Sequence, residues 1–196
     1  MPNRLQHLRQ RLGKVTVAAW FAGMLALGSG LLAKHVVAFP EPRAAELTLG
    51  IAKLRATREE QRWLTVHVLY SDCRCSRRIA DHLVASERPA DWSELVLWVG
   101  EDSPPKEMEA RFDVRRLGSS DLARLGIEAA PSLVVVDPAG QVRYVGGYTD
   151  RKQGPVAQDV RIMNAVRQSQ VVASLPLFGC AVSDRLKNDL AILPAL

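Results

Sequence analysis

The sequence predicts a mixed α/β domain, a central sheet flanked by helices, that follows one membrane-spanning helix. Three observations indicate this architecture: an uncharged apolar run near the N-terminus, strand-like segments alternating with amphipathic helical ones, and a late strand pair joined by a tight turn. The chain has 196 residues, of which 47% are apolar and 24% charged, enough for one ordinary domain with an appendage. This composition excludes collagen-like, disordered and disulfide-dense chains.

The N-terminal region carries the net charge of +5. Residues 1–38 hold five of the 26 Lys and Arg residues and no Asp or Glu, and the other 21 basic residues are balanced by all 21 acidic ones. The domain itself is therefore formally neutral, which argues against nucleic acid as a partner.

Residues 15–33 carry no charged side chain. As a helix they would span about 28 Å, close to the roughly 30 Å of a bilayer core. By the positive-inside rule, the basic segment 1–14 stays in the cytoplasm and the chain after residue 38 is exported. We expect an uncleaved anchor over 15–37. The alternative is a cleaved signal peptide, with Val36-Val37-Ala38 as its cleavage site.

Residues 38–62 are predicted to form a linker and a helix, and residues 63–196 the domain proper. Pro40 and Pro42 make a short stiff spacer, and apolar residues then recur at helical spacing over 43–62. β-branched and aromatic residues predict a buried strand over 63–70, followed by a turn at 71–75 and a helix over 76–86.

The later elements follow from the same periodicities. A second apolar strand is expected over 94–99, with helical structure over 105–116 and a short helix through 125 capped by Ser119 or Ser120. The Pro-Ala-Gly turn between two apolar segments predicts a hairpin with strands over 132–136 and 141–145. An amphipathic helix over 156–174 and a short C-terminal helix complete the prediction.

Three cysteines carry the candidate chemistry: Cys73, Cys75 and Cys180. Cys73 and Cys75 fall where a buried strand ends and a helix begins, and a helix N-terminus lowers the pKa of a thiol. A disulfide between them closes a very small ring, and strained disulfides are easily reduced. The pair is therefore a candidate for thiol-disulfide exchange in an oxidising compartment.

Residues 63–148 resemble the thioredoxin-like superfamily. The resemblance rests on the strand leading into YSDCRCS, on GIEAAPSLVVVDPAG and on VRYVGGY. It implies a thioredoxin-like sheet, a cis Pro131 that faces the cysteines, and an Ala130 backbone that binds an extended substrate peptide. The motif departs from the usual CxxC, and the chain is most similar to a bacterial branch with CxC, a GxY segment and a late Gly-Cys, here Gly179-Cys180.

The resemblance implies a thiol-disulfide oxidoreductase that acts on protein thiols or disulfides without a cofactor. Its location would be the bacterial inner membrane, with a single pass and the C-terminal domain in the periplasm. Cys73 would be the attacking thiolate and Cys75 the resolving thiol. Cys180 is either a buried apolar residue or a third thiol that resolves or relays a disulfide. His67 is either a strand residue with a satisfied hydrogen bond or a group that moves protons near neutral pH.

Two alternatives remain open at this point. The three cysteines and a histidine would reach the four ligands of a soft metal such as Cu(I) or Zn, but their spacing matches no recognised ligand pattern, so no metal site is assigned. The other alternative is a thioredoxin-like interaction domain without turnover.

Overall fold

The computed structural model describes residues 3–36, 38–42, 44–55, 62–152 and 154–191. It divides into two compact units, Met1–Val37 and Ala38–Leu196. The first unit is one helix, α1 (Asn3–Val36). Its stretch Arg11–Leu32 is, within the described chain, the one helical segment long and apolar enough to cross a membrane. Apolar side chains such as Leu25, 68% exposed, lie on the surface of this helix.

The second unit holds the remaining helices and strands. In chain order, the described elements are α2 (Ala44–Leu54), β1 (Trp63–Tyr70), α3 (Arg74–Ala85), β2 (Trp92–Val99), α4 (Lys106–Arg111), β3 (Asp113–Leu117), α5 (Ser119–Arg124), β4 (Ala129–Ala130), β5 (Ser132–Val136), β6 (Val142–Gly146), α6 (Asp159–Arg167), β7 (Cys180–Ala181) and α7 (Asp184–Leu190).

Five strands form the central sheet in the order β3-β2-β1-β5-β6, and β4 pairs with β7 in a second, two-stranded sheet. β1 runs parallel to β2 and antiparallel to β5. Alternate residues of β1 point to opposite faces: Val66 packs in a core with α2 and α5, whereas Leu69 packs in a core with α3 and α6. Because helices cover both faces, β1 and β5 are buried along their lengths and read as continuous apolar runs.

Several predicted elements are confirmed, and their bounds shift slightly. The strands over 63–70 and 132–136 are found as predicted, while the second strand begins earlier, at Trp92, and the last hairpin strand is Val142–Gly146. The helix after the cysteines begins at Arg74 rather than at residue 76. The predicted helix over 43–62 is observed as Ala44–Leu54; residue 43 and residues 56–61 lie outside the described residues.

Three local predictions are wrong. The helix over 105–116 ends at Arg111, because Asp113–Leu117 pairs in parallel with β2 as the sheet edge. The N-cap of α5 is Gly118, and neither serine side chain caps it. The helix over 156–174 covers only Asp159–Arg167, and Ser169 just beyond it has a positive φ of 60°, which is incompatible with a continuing helix.

Candidate active site

Cys73 and Cys75 lie at the junction that the sequence predicts. β1 ends at Tyr70, and Cys73 is the N-cap residue of α3, in extended conformation, so that Cys75 falls in the first helical turn. The backbone N–H of Cys73 donates to the carbonyl of Tyr70 at 3.1 Å, which fixes the turn. Cys73 is 0% exposed, whereas Cys75 is half-buried. The two thiols therefore differ in access to solvent.

Pro131 lies beside this pair. The Ala130-Pro131 peptide bond is cis. The sulfur of Cys73 is 3.7 Å from the carbonyl oxygen of Ala130, the residue before Pro131. The expected proximity of this proline to the cysteines is thus observed.

Cys180 joins the other two cysteines through the short second sheet. β7 pairs antiparallel with β4, with Ala130 opposite Cys180. This pairing differs from the expectation that Ala130 offers its backbone to a substrate peptide, because β7 of the same chain already occupies that edge. Cys180 is half-buried, and all three cysteines are free thiols.

The thiol of Cys73 interacts with both of the others. Hydrogen bonds from Cys180 and, next, from Cys75 hold the pKa of Cys73 well below its usual range. The same bond to Cys73 raises the pKa of Cys75 and of Cys180, because each donor keeps its proton. Of the three thiols, Cys73 is therefore the one that loses its proton most easily.

A cavity of about 230 Å³ opens next to Cys75. Its walls are mostly apolar, and two guanidinium groups supply its charge. The described residues that line it, none of which carries a carboxylate, are Arg74, Cys75, Arg78, Ile79, Pro131, Tyr148, Thr149 and Phe178. Cys75, not Cys73, is thus the thiol that a molecule in this cavity meets.

His67 lies behind the cavity in β1 and is fully buried. Its Nδ1 is 2.8 Å from the hydroxyl of Tyr148, and its Nε2 is 2.9 Å from Glu94 Oε2. Both ring nitrogens are therefore satisfied, which agrees with the interpretation of His67 as a hydrogen-bonded strand residue. Through Tyr148, which lines the cavity, His67 also supports the cavity wall.

A buried ionic network continues from His67, and sequence reasoning missed it. Arg88 binds Glu94 and Asp159, and Asp159 accepts a further hydrogen bond from His82 at 2.8 Å. Burial alone would raise the pKa of Glu94, but its hydrogen bonds with His67 and Arg88 lower it to about 2. The only available signal in the sequence was Glu94 itself, an acid inside a predicted buried strand.

Metal ligands are not assembled at this site. In the part of the chain that the structure describes, no group of three or more His, Cys, Asp or Glu residues is arranged to hold a metal ion.

Comparisons with known proteins bear on the fold. No family model matches the chain, and no curated protein matches it in sequence. Among solved structures, a hypothetical protein from Sinorhizobium meliloti is similar at 15% identity with a TM-score of 0.51, over 75% of this chain and 92% of that one. The thioredoxin domain of a thiol-disulfide oxidoreductase from Bacteroides vulgatus is similar at 15% identity with a TM-score of 0.40, over 59% of this chain and 83% of that one.

A thiol:disulfide interchange protein from a Bacteroides species is similar at 13% identity, with a TM-score of 0.41 over 68% of this chain and 88% of that one. At 15% identity and a TM-score of 0.51, the Sinorhizobium meliloti structure bears on the fold alone, and the activity is argued from the site. The sheet order and the cis bond before Pro131 agree with the resemblance seen in the sequence. The chain therefore has a thioredoxin-like fold.

Proposed function

We propose that the protein is a membrane-anchored thiol-disulfide oxidoreductase that acts on exported proteins through Cys73 and Cys75. The observation that carries this proposal is the placement of a buried Cys73, whose pKa is lowered, two residues from a Cys75 that lines a cavity beside Pro131. A thiolate next to a second thiol is the minimum needed to accept or donate a disulfide.

The accessibility of the two thiols favours Cys75 as the one that meets the substrate. A thiol must reach the substrate sulfur to react with it, and Cys73 is 0% exposed. This reverses the order expected from the sequence, in which Cys73 attacks first. Cys73 then serves as the resolving thiol.

The exchange is balanced in atoms and electrons. Cys75 gives up its proton, and its sulfur attacks one sulfur of a substrate disulfide, whose S–S bond breaks and whose other sulfur leaves as a thiolate. The leaving thiolate takes up the proton that Cys75 released. Cys73 then attacks the Cys75 sulfur of the mixed disulfide, so that a Cys73–Cys75 disulfide forms. The second substrate sulfur leaves and takes a proton from water, and the substrate is reduced by two electrons.

The experiment is mixed-disulfide trapping with full-length protein in detergent, in a Cys180→Ser background so that the third thiol does not interfere. Cys73→Ser should accumulate substrate bound covalently at Cys75, and Cys75→Ser should capture none. Capture at Cys73 in the Cys75→Ser protein would instead support the order expected from the sequence. If the wild-type protein exchanges no disulfide, or if its three cysteines hold copper or zinc stoichiometrically, the oxidoreductase proposal fails.

The anchor and the periplasmic location are part of the same proposal. They are supported by the apolar segment Arg11–Leu32 and by the basic residues that precede and begin it. A membrane-impermeant maleimide added to right-side-out bacterial spheroplasts should label Cys75, and an N-terminal tag should stay with the membrane fraction and be shielded from added protease. Loss of the tag would indicate a cleaved signal peptide, and protection of Cys75 would reverse the orientation.

A further inference from the structure

The segment around Cys180 is held against the cysteine pair by more than its two paired residues. Next to β7, the backbone N–H of Val182 donates to the carbonyl of Glu128 at 2.7 Å, which extends the pairing with β4. Arg185 in α7 forms a salt bridge with the carboxylate of Glu128. Both β7 and α7 are thus bound to residues 128–130, the short stretch before Pro131.

Gly179 explains why Cys180 can come this close. A Cβ at Gly179 would lie 1.9 Å from the carbonyl oxygen of Ala130 and 2.6 Å from Cδ of Pro131, distances that no side chain tolerates. Only glycine therefore allows the backbone to press against the loop that carries Pro131. The consequence is that the next residue, Cys180, lies opposite Ala130, whose carbonyl oxygen is 3.7 Å from the Cys73 sulfur.

We propose that Cys180 is a third redox residue, which takes the disulfide from the Cys73–Cys75 pair and so returns Cys75 to the cavity as a free thiol. The inference rests on the proposed function, because exchange with a substrate supplies the first disulfide. Cys73 is two residues from Cys75, and its sulfur is 3.7 Å from the carbonyl oxygen of Ala130, the residue that pairs with Cys180. It is therefore the shared partner in the two disulfides.

The transfer needs no external oxidant. Cys180 loses its proton and its sulfur attacks the sulfur of Cys73; the bond between Cys73 and Cys75 breaks, and Cys75 leaves as a thiolate that takes up a proton. One disulfide is exchanged for another, so the site as a whole is neither oxidised nor reduced.

Ring size favours transfer of the disulfide from Cys75 to Cys180. The Cys73–Cys75 disulfide closes a ring across a single intervening residue, which restricts its geometry. Cys73 and Cys180 are brought together by strand pairing, so their bond closes a long loop in a conformation that the fold already holds. We expect the Cys73–Cys180 form to dominate when the oxidised protein reaches equilibrium.

Disulfide mapping of the full-length protein tests the proposal. Trypsin separates the three cysteines, because it yields peptides 63–74, 75–77 and 168–185. After oxidation with glutathione disulfide and alkylation of the free thiols, the peptides of Cys73 and Cys180 should be linked and Cys75 alkylated. A Cys73–Cys75 link with alkylated Cys180 at equilibrium would overturn the proposal.

A variant pair adds a second readout. Cys180→Ser should still exchange disulfides through the other two cysteines, but its equilibrium constant for oxidation by glutathione should fall at least about tenfold. Ala181→Ser, in the same strand, removes no thiol and should match the wild-type protein. An unchanged constant in a folded Cys180→Ser protein would contradict the inference, whereas absence of any exchange in the wild-type protein would contradict the proposed function instead.

Discussion

Glu94 is the residue whose replacement tests the buried network most directly. Its side chain is 8% exposed and binds both Arg88 and His67. Glu94→Gln removes the negative charge with little change of shape. It leaves the Arg88 guanidinium, itself 9% exposed, with Asp159 as its remaining anionic partner in the network.

The contacts of Glu94 set the expected loss in the free energy of unfolding. Removing one partner of a buried ion pair costs about 3–5 kcal/mol, and the glutamine amide can keep part of the hydrogen bonding. The lowering of the Glu94 pKa from 4.5 to about 2 corresponds to about 3 kcal/mol in favour of the folded state. We therefore expect a loss of about 3 kcal/mol, which for a domain of this size lowers Tm by about 6–12 °C.

The sign of the pH dependence follows from the same shift. Because folding lowers the Glu94 pKa, its contribution is complete above the unfolded value of 4.5 and is lost as the pH falls toward about 2. Urea unfolding of the full chain, followed by tryptophan fluorescence, should show a large gap between wild type and Glu94→Gln at pH 7. That gap should narrow by about 2 kcal/mol at pH 3.

Glu87 is the matched control, because it carries the same charge near the network but is exposed. Glu87→Gln should change the free energy of unfolding by less than about 0.5 kcal/mol. A Glu94→Gln protein as stable as the control, or one whose deficit does not change with pH, would refute the ionic role assigned to Glu94.

Three further predictions concern the thiol site. Gly179→Ala should lower the free energy of unfolding by about 1–3 kcal/mol and decrease the fraction of protein with a Cys73–Cys180 disulfide, because the new methyl group clashes with the Ala130 carbonyl. Urea unfolding and disulfide mapping measure the two effects. Arg74→Gln should lower the rate of cavity-thiol alkylation by anionic iodoacetate relative to neutral iodoacetamide by about two- to fivefold at low salt, whereas Arg77→Gln, outside the cavity, should not. Cys73→Ser should abolish thiolate absorbance at pH 7, because the lowered pKa of Cys73 keeps it ionised there; persistence of the absorbance would assign the thiolate to another cysteine.

The sequence predicted those parts of the fold that depend on neighbours along the chain. Local residue patterns predict the strand Trp63–Tyr70 and the helix that begins at Arg74, and Cys73 and Cys75 lie at their junction. The edge strand Asp113–Leu117 was not predictable in this way, because charged residues fill it and only its pairing with β2 makes it a strand.

The wider site was beyond sequence reasoning for the same physical reason. Cys180 reaches Cys73 through a two-residue strand pair, which is too short to leave a periodic pattern. The contact of Arg88 with Asp159 spans 71 positions and depends on how α6 packs against the sheet. Both contacts arise from tertiary packing between distant parts of the chain, so a short stretch of sequence does not reveal them.

The two sides of the cavity are therefore stabilised by different interactions. Tyr148 is held through His67 by the buried ionic network, and Pro131 is held by the close approach of Gly179. A Cys73–Cys180 disulfide would form on the second side, because Cys180 belongs to the strand that packs there. Because β7 already pairs with β4 while the cysteines are free thiols, we expect both walls of the cavity to stay in place when the disulfide passes from Cys75 to Cys180.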